Sequence, residues 1–185
     1  MTTTYRFLIS VFVLMLSASP LHAADDTYSV EEITAKAEGF FGDTTEGLAK
    51  AIEKAFAEQG RPNGYIVGEE IAGAIGIGLR YGNGMLNRKR AKTRKVYWQG
   101  PSIGWDLGGN ASKVFTLIYG LKSDDQPFQR YPGVDGSLYI AAGFGVSYQQ
   151  SGNVILAPIR TGVGLRAGAN VGYLHYGTKH SWLPF

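Results

Sequence analysis

The sequence predicts a mainly β protein, a small antiparallel β-barrel-like domain of about eight strands with one N-terminal amphipathic helix. Three observations support this fold class. From Tyr65 onward, apolar residues alternate with polar residues or glycine, which is the period of a β-strand. Turn signals rich in Gly, Asn, Asp and Pro separate the alternating runs. The 185 residues also include 26 Gly, 11 Tyr, 9 Phe and 3 Trp, a balance that favours strands.

The first 23 residues have the features of a secretory signal peptide. Arg6 is the only charged residue before Asp25, and it precedes an apolar run at 7–16 and the small pair Ala23–Ala24. We therefore expect cleavage after Ala23 and a location in the periplasm. A membrane anchor is the alternative, although the apolar run is short for a spanning helix. The chain contains no cysteine, which excludes a lipid-modified cysteine and a disulfide framework.

The predicted organisation after the signal peptide is an acidic leader at 24–43 and a single helix-plus-barrel domain at 44–185. Apolar side chains at spacings of three and four residues, from Leu48 to Phe56, lie on one face of the predicted helix. A cluster of Gly, Pro and Asn that begins at Gly60 ends this helix. The helix is expected to cover part of the core.

The heptapeptide GIGLRYG at residues 76–82 returns as GVGLRAG at residues 162–168. On a strand, its glycines and its arginine lie on one face and its apolar residues lie on the other. Glycine faces permit strong strand coiling and the close approach of a ligand or of another backbone. Arg80 and Arg166 would then project over an open surface and offer two cations to one cavity. The alternative is that the glycines only relieve crowding and that the arginines form ordinary surface ion pairs.

These positions predict a ligand pocket that is both cationic and apolar. Arginine suits a phosphate or a carboxylate because its planar guanidinium donates two parallel hydrogen bonds. Aromatic residues offer a wall, but alternation puts Tyr97 and Trp98 on opposite faces, so that only one of them can line the pocket. Asp106 lies on the glycine-lined face, where it can pair with Arg80 or Arg166. The predicted ligand-binding residues are Arg80, Tyr97, Trp98, Trp105, Asp106, Arg160 and Arg166.

Motifs for catalysis are incomplete, so we expect no enzymatic activity, no cofactor and no metal site. The pattern G-x-G-x-x-A at 162–167 is followed by strand-like alternation and not by the helix that a dinucleotide site requires. The pattern G-x-S-x-G around Ser102 likewise opens a strand, which disfavours a hydrolase. Glu69 and Glu70 are adjacent, so on a strand they face opposite sides and cannot flank one glycosidic bond. Without cysteine or clustered acids, the chain offers no set of metal ligands.

The stretch NRKRAKTRK at residues 87–95 carries six basic residues in nine, whereas the segment from Asp25 to Glu46 is acidic. Between two strands, the basic stretch is predicted to be a hairpin loop with exposed cations. In an exported protein nucleic acid is not expected, and suitable partners are anionic lipid head groups, lipopolysaccharide or acidic glycans. Membrane contact would be peripheral or absent, and a merely solvated loop is the alternative. The basic-loop residues are Arg88, Lys89, Arg90, Lys92, Arg94 and Lys95.

Three long motifs occur in order along the chain: KVYWQGPSIGWDLGG at 95–109, YPGVDGSLY at 131–139 and APIRTGVGLRAGANVGYL at 157–174. Together they resemble the envelope integrity protein A family of alphaproteobacteria, and the resemblance runs from about Tyr65 to Phe185. It implies a periplasmic protein with a small β-barrel-like fold that supports cell-envelope integrity and stress resistance. It implies no established catalytic activity and no catalytic residues to carry over.

These features predict a non-enzymatic periplasmic protein that binds an anionic lipid-like or glycan component of the envelope. One alternative is a scaffold that docks an envelope partner through the basic loop. A second alternative is an eight-stranded outer-membrane barrel, because the chain ends in Phe185. Pro158 and Pro184 count against that alternative because each interrupts strand alternation.

Overall fold

A computed structural model describes residues 26–42, 45–106, 111–134, 137–161 and 172–181, and for residues 73–77 and 102–106 it describes the backbone alone. Two helices precede nine strands within the described ranges. The helices are α1 (Val30–Phe41) and α2 (Glu46–Gln59). The strands are β1 (Gly64–Asn87), β2 (Arg94–Asp106), β3 (Ser112–Tyr119), β4 (Arg130–Pro132), β5 (Tyr139–Ala141), β6 (Phe144–Val146), β7 (Gln149–Ser151), β8 (Val154–Thr161) and β9 (Tyr173–Gly177).

The strands form one antiparallel sheet that curls toward closure. Their order is β4-β9-β2-β1-β3-β8-β6-β5, and β7 also pairs with β8. An isolated bridge joins Gly133, just after β4, to Gln149 of β7, and Val134 N–H donates to the Tyr148 carbonyl at 2.9 Å. These contacts link the β4 edge back to the β7–β8 pair. The mainly β, barrel-like fold predicted from the sequence is therefore confirmed.

The first helix, α1, lies in the segment that the sequence predicted to be an acidic leader. Ser29 and Glu32 form a capping box: the Glu32 N–H donates to the Ser29 hydroxyl at 3.2 Å, and the Ser29 N–H donates to the Glu32 carboxylate at 2.8 Å. The left-handed Gly42 ends the helix, and its N–H donates to the Glu38 carbonyl. The expectation of a single N-terminal helix is thus corrected to two.

The predicted amphipathic helix is α2. The Thr45 hydroxyl accepts the Leu48 N–H at 3.2 Å and so caps its first turn. Its apolar face, which includes Leu48, Ile52 and Ala55, is fully buried. None of the helices among the described residues is both long and apolar enough to span a membrane.

The longest strand, β1, pairs with a different neighbour in each half because it bends sharply. Residues 64–70 pair with β3, and residues 74–86 pair with β2. Gly68 and Gly84 come together where the two halves cross, and a Cβ on either glycine would overlap backbone atoms of the other half. The absence of a side chain at these two glycines therefore allows the two halves of β1 to approach each other closely.

Two apolar cores are packed on opposite sides of the sheet. The interior core is built around Trp98, Tyr131 and Tyr176, together with aliphatic side chains from β1, β3 and β8. The second core fills the space between the two helices and the outer face of β3, β6 and β8. Alternation along β3 assigns its residues to the two cores: Ile118 packs inside the barrel, and Leu117 packs against the helices.

Candidate functional site

A buried carboxylate, that of Glu70, organises a polar cluster on the interior face of the barrel. Its side chain is 4% exposed. Arg160 Nε lies 3.0 Å from Glu70 Oε1, and Arg160 Nη2 lies 3.5 Å from Oε2. Arg80 Nε lies 3.3 Å from Oε1, and the Trp98 indole N–H donates to Oε2 at 2.8 Å. We call Glu70, Arg80, Arg160 and Trp98 the interior cluster.

The bend of β1 brings two members of the interior cluster together. Glu70 and Arg80 are ten residues apart on the same strand, so in a straight strand they would be about 33 Å apart. Both have even numbers and therefore share the inward face. Arg160 reaches them from β8, on the same side as the interior core residue Leu156.

The indole of Trp98 is closely surrounded by glycine backbone and aromatic rings. A Cβ on Gly82 would overlap the indole ring, and a Cβ on Gly68 would lie 2.8 Å from it. The Tyr176 ring stacks on Trp98 with 5.8 Å between centroids, and Tyr131 meets Tyr176 edge to face at 5.6 Å. Glycine at position 82, within the first heptapeptide, therefore makes room for a side chain of the same protein.

The pKa of the Glu70 carboxyl is set by two opposing effects. Burial by itself raises this pKa because a charged carboxylate is poorly solvated in the interior. The guanidiniums of Arg160 and Arg80, with hydrogen bonds from Arg160 and Trp98, outweigh burial and hold the pKa of Glu70 below its ordinary value. Glu70 is therefore a carboxylate at neutral pH.

The interior cluster carries two positive charges and one negative charge, and both arginines retain some access to solvent. The Arg80 side chain is 21% exposed and that of Arg160 is 12% exposed. Arg160 also donates to the Ser147 hydroxyl at 3.4 Å. Such a site suits an anion that presents two oxygens to a guanidinium. Within the described ranges, no group of three or more acids or histidines is placed to hold a metal ion.

Three of the predicted ligand-binding residues, Arg80, Trp98 and Arg160, meet in the interior cluster. Tyr97 lies on the opposite face, as alternation predicted, and its ring contacts the Lys95 ammonium at 5.3 Å. The backbone of Trp105 pairs with Ile75 and that of Asp106 pairs with Ala74. The side chains of Trp105 and Asp106 lie outside the description, as do Arg166 and the whole second heptapeptide.

Glu70 is not among the ligand-binding residues predicted from the sequence. Alternation separates it from Glu69, because adjacent strand residues face opposite sides, and so excludes the two as a catalytic pair. The same alternation places Glu70 on the face of Arg80, so a signal for an ion pair was present. Arg160 lies 90 residues from Glu70 in the sequence, so no local pattern indicates that these two side chains meet.

The basic loop is largely paired with acids of the same chain. Arg88 pairs with Asp124, and Arg94 lies 2.7 Å from Asp125. A separate set of contacts joins the loop to the N-terminal segment: Lys89 to Glu32 at 3.0 Å and Arg90 to Asp26 at 3.6 Å. Lys92 is exposed. The acidic segment and the basic loop, which look like separate charged regions in the sequence, thus neutralise each other in part.

Comparisons with known proteins agree on the family and on the fold. Over residues 26–185 the chain matches the family described as envelope integrity protein A. It is also similar to a solved protein from Brucella abortus, whose crystal structure is described as beta-barrel-like and uncharacterized. That similarity has a TM-score of 0.79 at 48% sequence identity and covers 87% of this chain and 100% of the other. No curated protein matches the chain.

The family match begins in the segment that forms α1 and continues to the end of the chain. It therefore includes the helices as well as all three sequence motifs, and it extends the predicted resemblance toward the N-terminus. The solved relative has the barrel-like fold found here. On the strength of both comparisons, the chain belongs to the envelope integrity protein A family.

Proposed function

We propose that the protein is a non-enzymatic periplasmic protein that supports the cell envelope by binding an anionic lipid-like or glycan component. The observation that carries this proposal is the interior cluster, in which two guanidiniums converge on a single buried carboxylate. The predicted signal peptide at 1–23 and membership in an envelope-related family support the location.

Charge favours an anionic ligand at the interior cluster. Its four residues contribute two guanidiniums and one carboxylate, so together they carry a net positive charge. A phosphate or carboxylate of the ligand would accept hydrogen bonds from the guanidiniums. The indole of Trp98 and the aromatic interior core supply the apolar side of the site.

Native mass spectrometry of protein purified from its own periplasm, without detergent, tests the proposal. We expect a discrete added mass that organic extraction then identifies as an anionic lipid or glycan. The double variant Arg80→Lys/Arg160→Lys keeps both positive charges but loses the planar guanidiniums that donate two parallel hydrogen bonds. The fraction of the protein that carries the added mass should therefore fall strongly or to zero. The matched control is Arg61→Lys, at an exposed arginine that donates to the Tyr28 carbonyl and lies outside the interior cluster.

Two results of this experiment contradict the proposal. One is a folded wild-type protein that carries no added mass from the periplasm. The other is an added mass that the double lysine variant retains in full. A circular dichroism spectrum of each variant establishes that it is folded before its mass is compared.

Docking of an envelope partner through the basic loop is a second possible function with weaker structural support. Four of the loop cations already contact acids of this chain, which lowers the charge offered to a partner. Substitution of Lys89, Arg90, Lys92 and Arg94 by glutamine separates the two proposals. If the loop docks the partner, this variant loses partner capture and retains the small-ligand mass.

A further inference from the structure

A row of polar and aromatic side chains crosses the outer face of the barrel, away from both apolar cores. Tyr81 of β1 is paired in register with Gln99 of β2, and Gln99 is paired with His175 of β9. His175 is in turn paired with Arg130 of β4. Residues directly opposite one another in antiparallel strands share a face, so these four side chains lie in one row.

At the β1 end of this row the surface opens into a pocket of about 280 Å³. Its walls include Glu69, Ile71, Tyr81, Asn83 and His180. The size lies near the lower end of small-molecule sites, which span about 300–1,000 Å³. We call it the outer pocket. It lies on the face of β1 opposite to the interior cluster, since Glu69 and Tyr81 have odd numbers and Glu70 and Arg80 have even numbers.

The ring of His180, in the wall of the outer pocket, meets the rings of two tyrosines, of which Tyr81 also lines the pocket. The His180 ring is nearly parallel to that of Tyr81, with an interplanar angle of 17° and 6.5 Å between centroids. It meets the Tyr97 ring edge to face at 5.9 Å. Neither tyrosine belongs to an apolar core, and the neighbouring Ile71 is 52% exposed. Packing of the fold therefore does not account for this concentration of rings and apolar surface.

We propose that the outer pocket binds a neutral saccharide. A pyranose ring has an apolar face of C–H groups and an edge of hydroxyl groups that both donate and accept hydrogen bonds. The pocket presents the matching surfaces, with Tyr81 and Ile71 for the apolar face and Glu69 and Asn83 for the hydroxyls. The carboxylate of Glu69 disfavours a phosphate or carboxylate ligand, so the occupant differs from that of the interior cluster.

The row of outward side chains gives a direction along which a longer saccharide would lie. From Tyr81 it leads over the buried Gln99 to His175 and Arg130, and the Arg130 guanidinium is stacked 5.2 Å from the ring of Tyr173. Imidazole and guanidinium groups both hydrogen-bond to hydroxyls. An oligosaccharide of several units should therefore bind more tightly than a single sugar.

Saturation-transfer NMR with neutral tetrasaccharides of glucose, mannose and N-acetylglucosamine tests this proposal. We expect at least one of them to bind the full protein, with a Kd that calorimetry then measures. Tyr81→Ala should weaken that binding about tenfold or more, because the ring supplies much of the apolar contact. Tyr139→Ala is the matched control, since Tyr139 lies elsewhere, beside Lys54 of α2.

Asn83→Ala keeps the test decisive if Tyr81→Ala fails to fold. Asn83 is an exposed polar residue at the pocket, so its substitution removes a hydrogen-bonding group without touching a core. The proposal is overturned if no tetrasaccharide binds at about 10 mM, or if the Asn83 and Tyr139 variants bind alike. The Arg80→Lys/Arg160→Lys variant should bind the saccharide normally, so this test is independent of the interior cluster.

Discussion

The interior cluster and the basic loop are both built from arginines paired with acids, and they differ mainly in their exposure to water. In the cluster, Arg160 lies 3.0 Å from Glu70, whose side chain is 4% exposed. In the loop, Arg94 lies 2.7 Å from Asp125, whose side chain is 86% exposed. The shorter of these two ion pairs is therefore the one at the surface.

Distance alone does not rank the two ion pairs by their contribution to stability. Water and salt screen an exposed pair, and when one partner is removed, water solvates the other. In the barrel interior the Glu70 side chain is only 4% exposed and that of Arg160 is 12% exposed, so removal of one partner leaves a charge that water solvates poorly. We therefore expect the same carboxylate-to-amide change to have very different effects in the two places.

The largest expected effect is that of Glu70→Gln. The substitution retains the size of the side chain but removes the carboxylate that the guanidiniums of Arg80 and Arg160 both contact. We expect the free energy of unfolding to fall by about 3–5 kcal/mol, measured by urea denaturation. A loss under about 1 kcal/mol would show that the Glu70 ion pairs contribute no more than a surface ion pair.

The next effect is expected from Gly82→Ala, which tests how tightly the cluster is packed. The added methyl group would overlap the indole of Trp98 and displace its hydrogen bond to Glu70. We expect a loss of about 1–3 kcal/mol in the free energy of unfolding. Gly39→Ala in α1 is the control, because its Cβ meets no atom within 4 Å and alanine favours a helix. Equal effects of the two substitutions would contradict tight packing.

Acid should destabilise the wild-type protein partly through Glu70. Its pKa in the folded protein lies below the ordinary value of 4.5, so its contribution is complete above that value and is lost as the pH falls through the folded pKa. The slope attributable to this one carboxyl is at most about 1.4 kcal/mol per pH unit. Urea denaturation at about 25 °C between pH 6 and pH 3 tests this. The difference in the free energy of unfolding between wild type and Glu70→Gln should become smaller as the pH falls. A constant difference would be inconsistent with a depressed pKa.

The smallest effect is expected from Asp125→Asn, which removes the acid paired with Arg94 at the basic loop. Because Asp125 is highly exposed, we expect the free energy of unfolding to change by less than about 1 kcal/mol. In about 1 M salt, where the Debye length is about 3 Å, even this difference should disappear, while the effect of Glu70→Gln should persist. If Asp125→Asn lowered the free energy of unfolding even in high salt, burial would not explain the difference between the basic loop and the interior cluster.

Local sequence patterns accounted for much of the fold and for some of the site. Alternation placed Tyr97 and Trp98 on opposite faces, and the structure confirms it. The helical spacing after Thr45 predicted α2. The pattern that begins α1, a serine followed three residues later by a glutamate, was also present at Ser29 and Glu32, but the high acid content of the segment led to its interpretation as a leader.

The sequence by itself determined which side chains share a face, because alternation along a strand depends only on local backbone geometry. It also determined that β1 has glycines at its crossing point, where no side chain fits. Only the tertiary structure decided which charges meet. The bend of β1 brings Glu70 to Arg80, and the curl of the sheet brings Arg160 from β8, ninety residues further along the chain. Such partners are selected by the path of the whole chain, and no local pattern encodes that path.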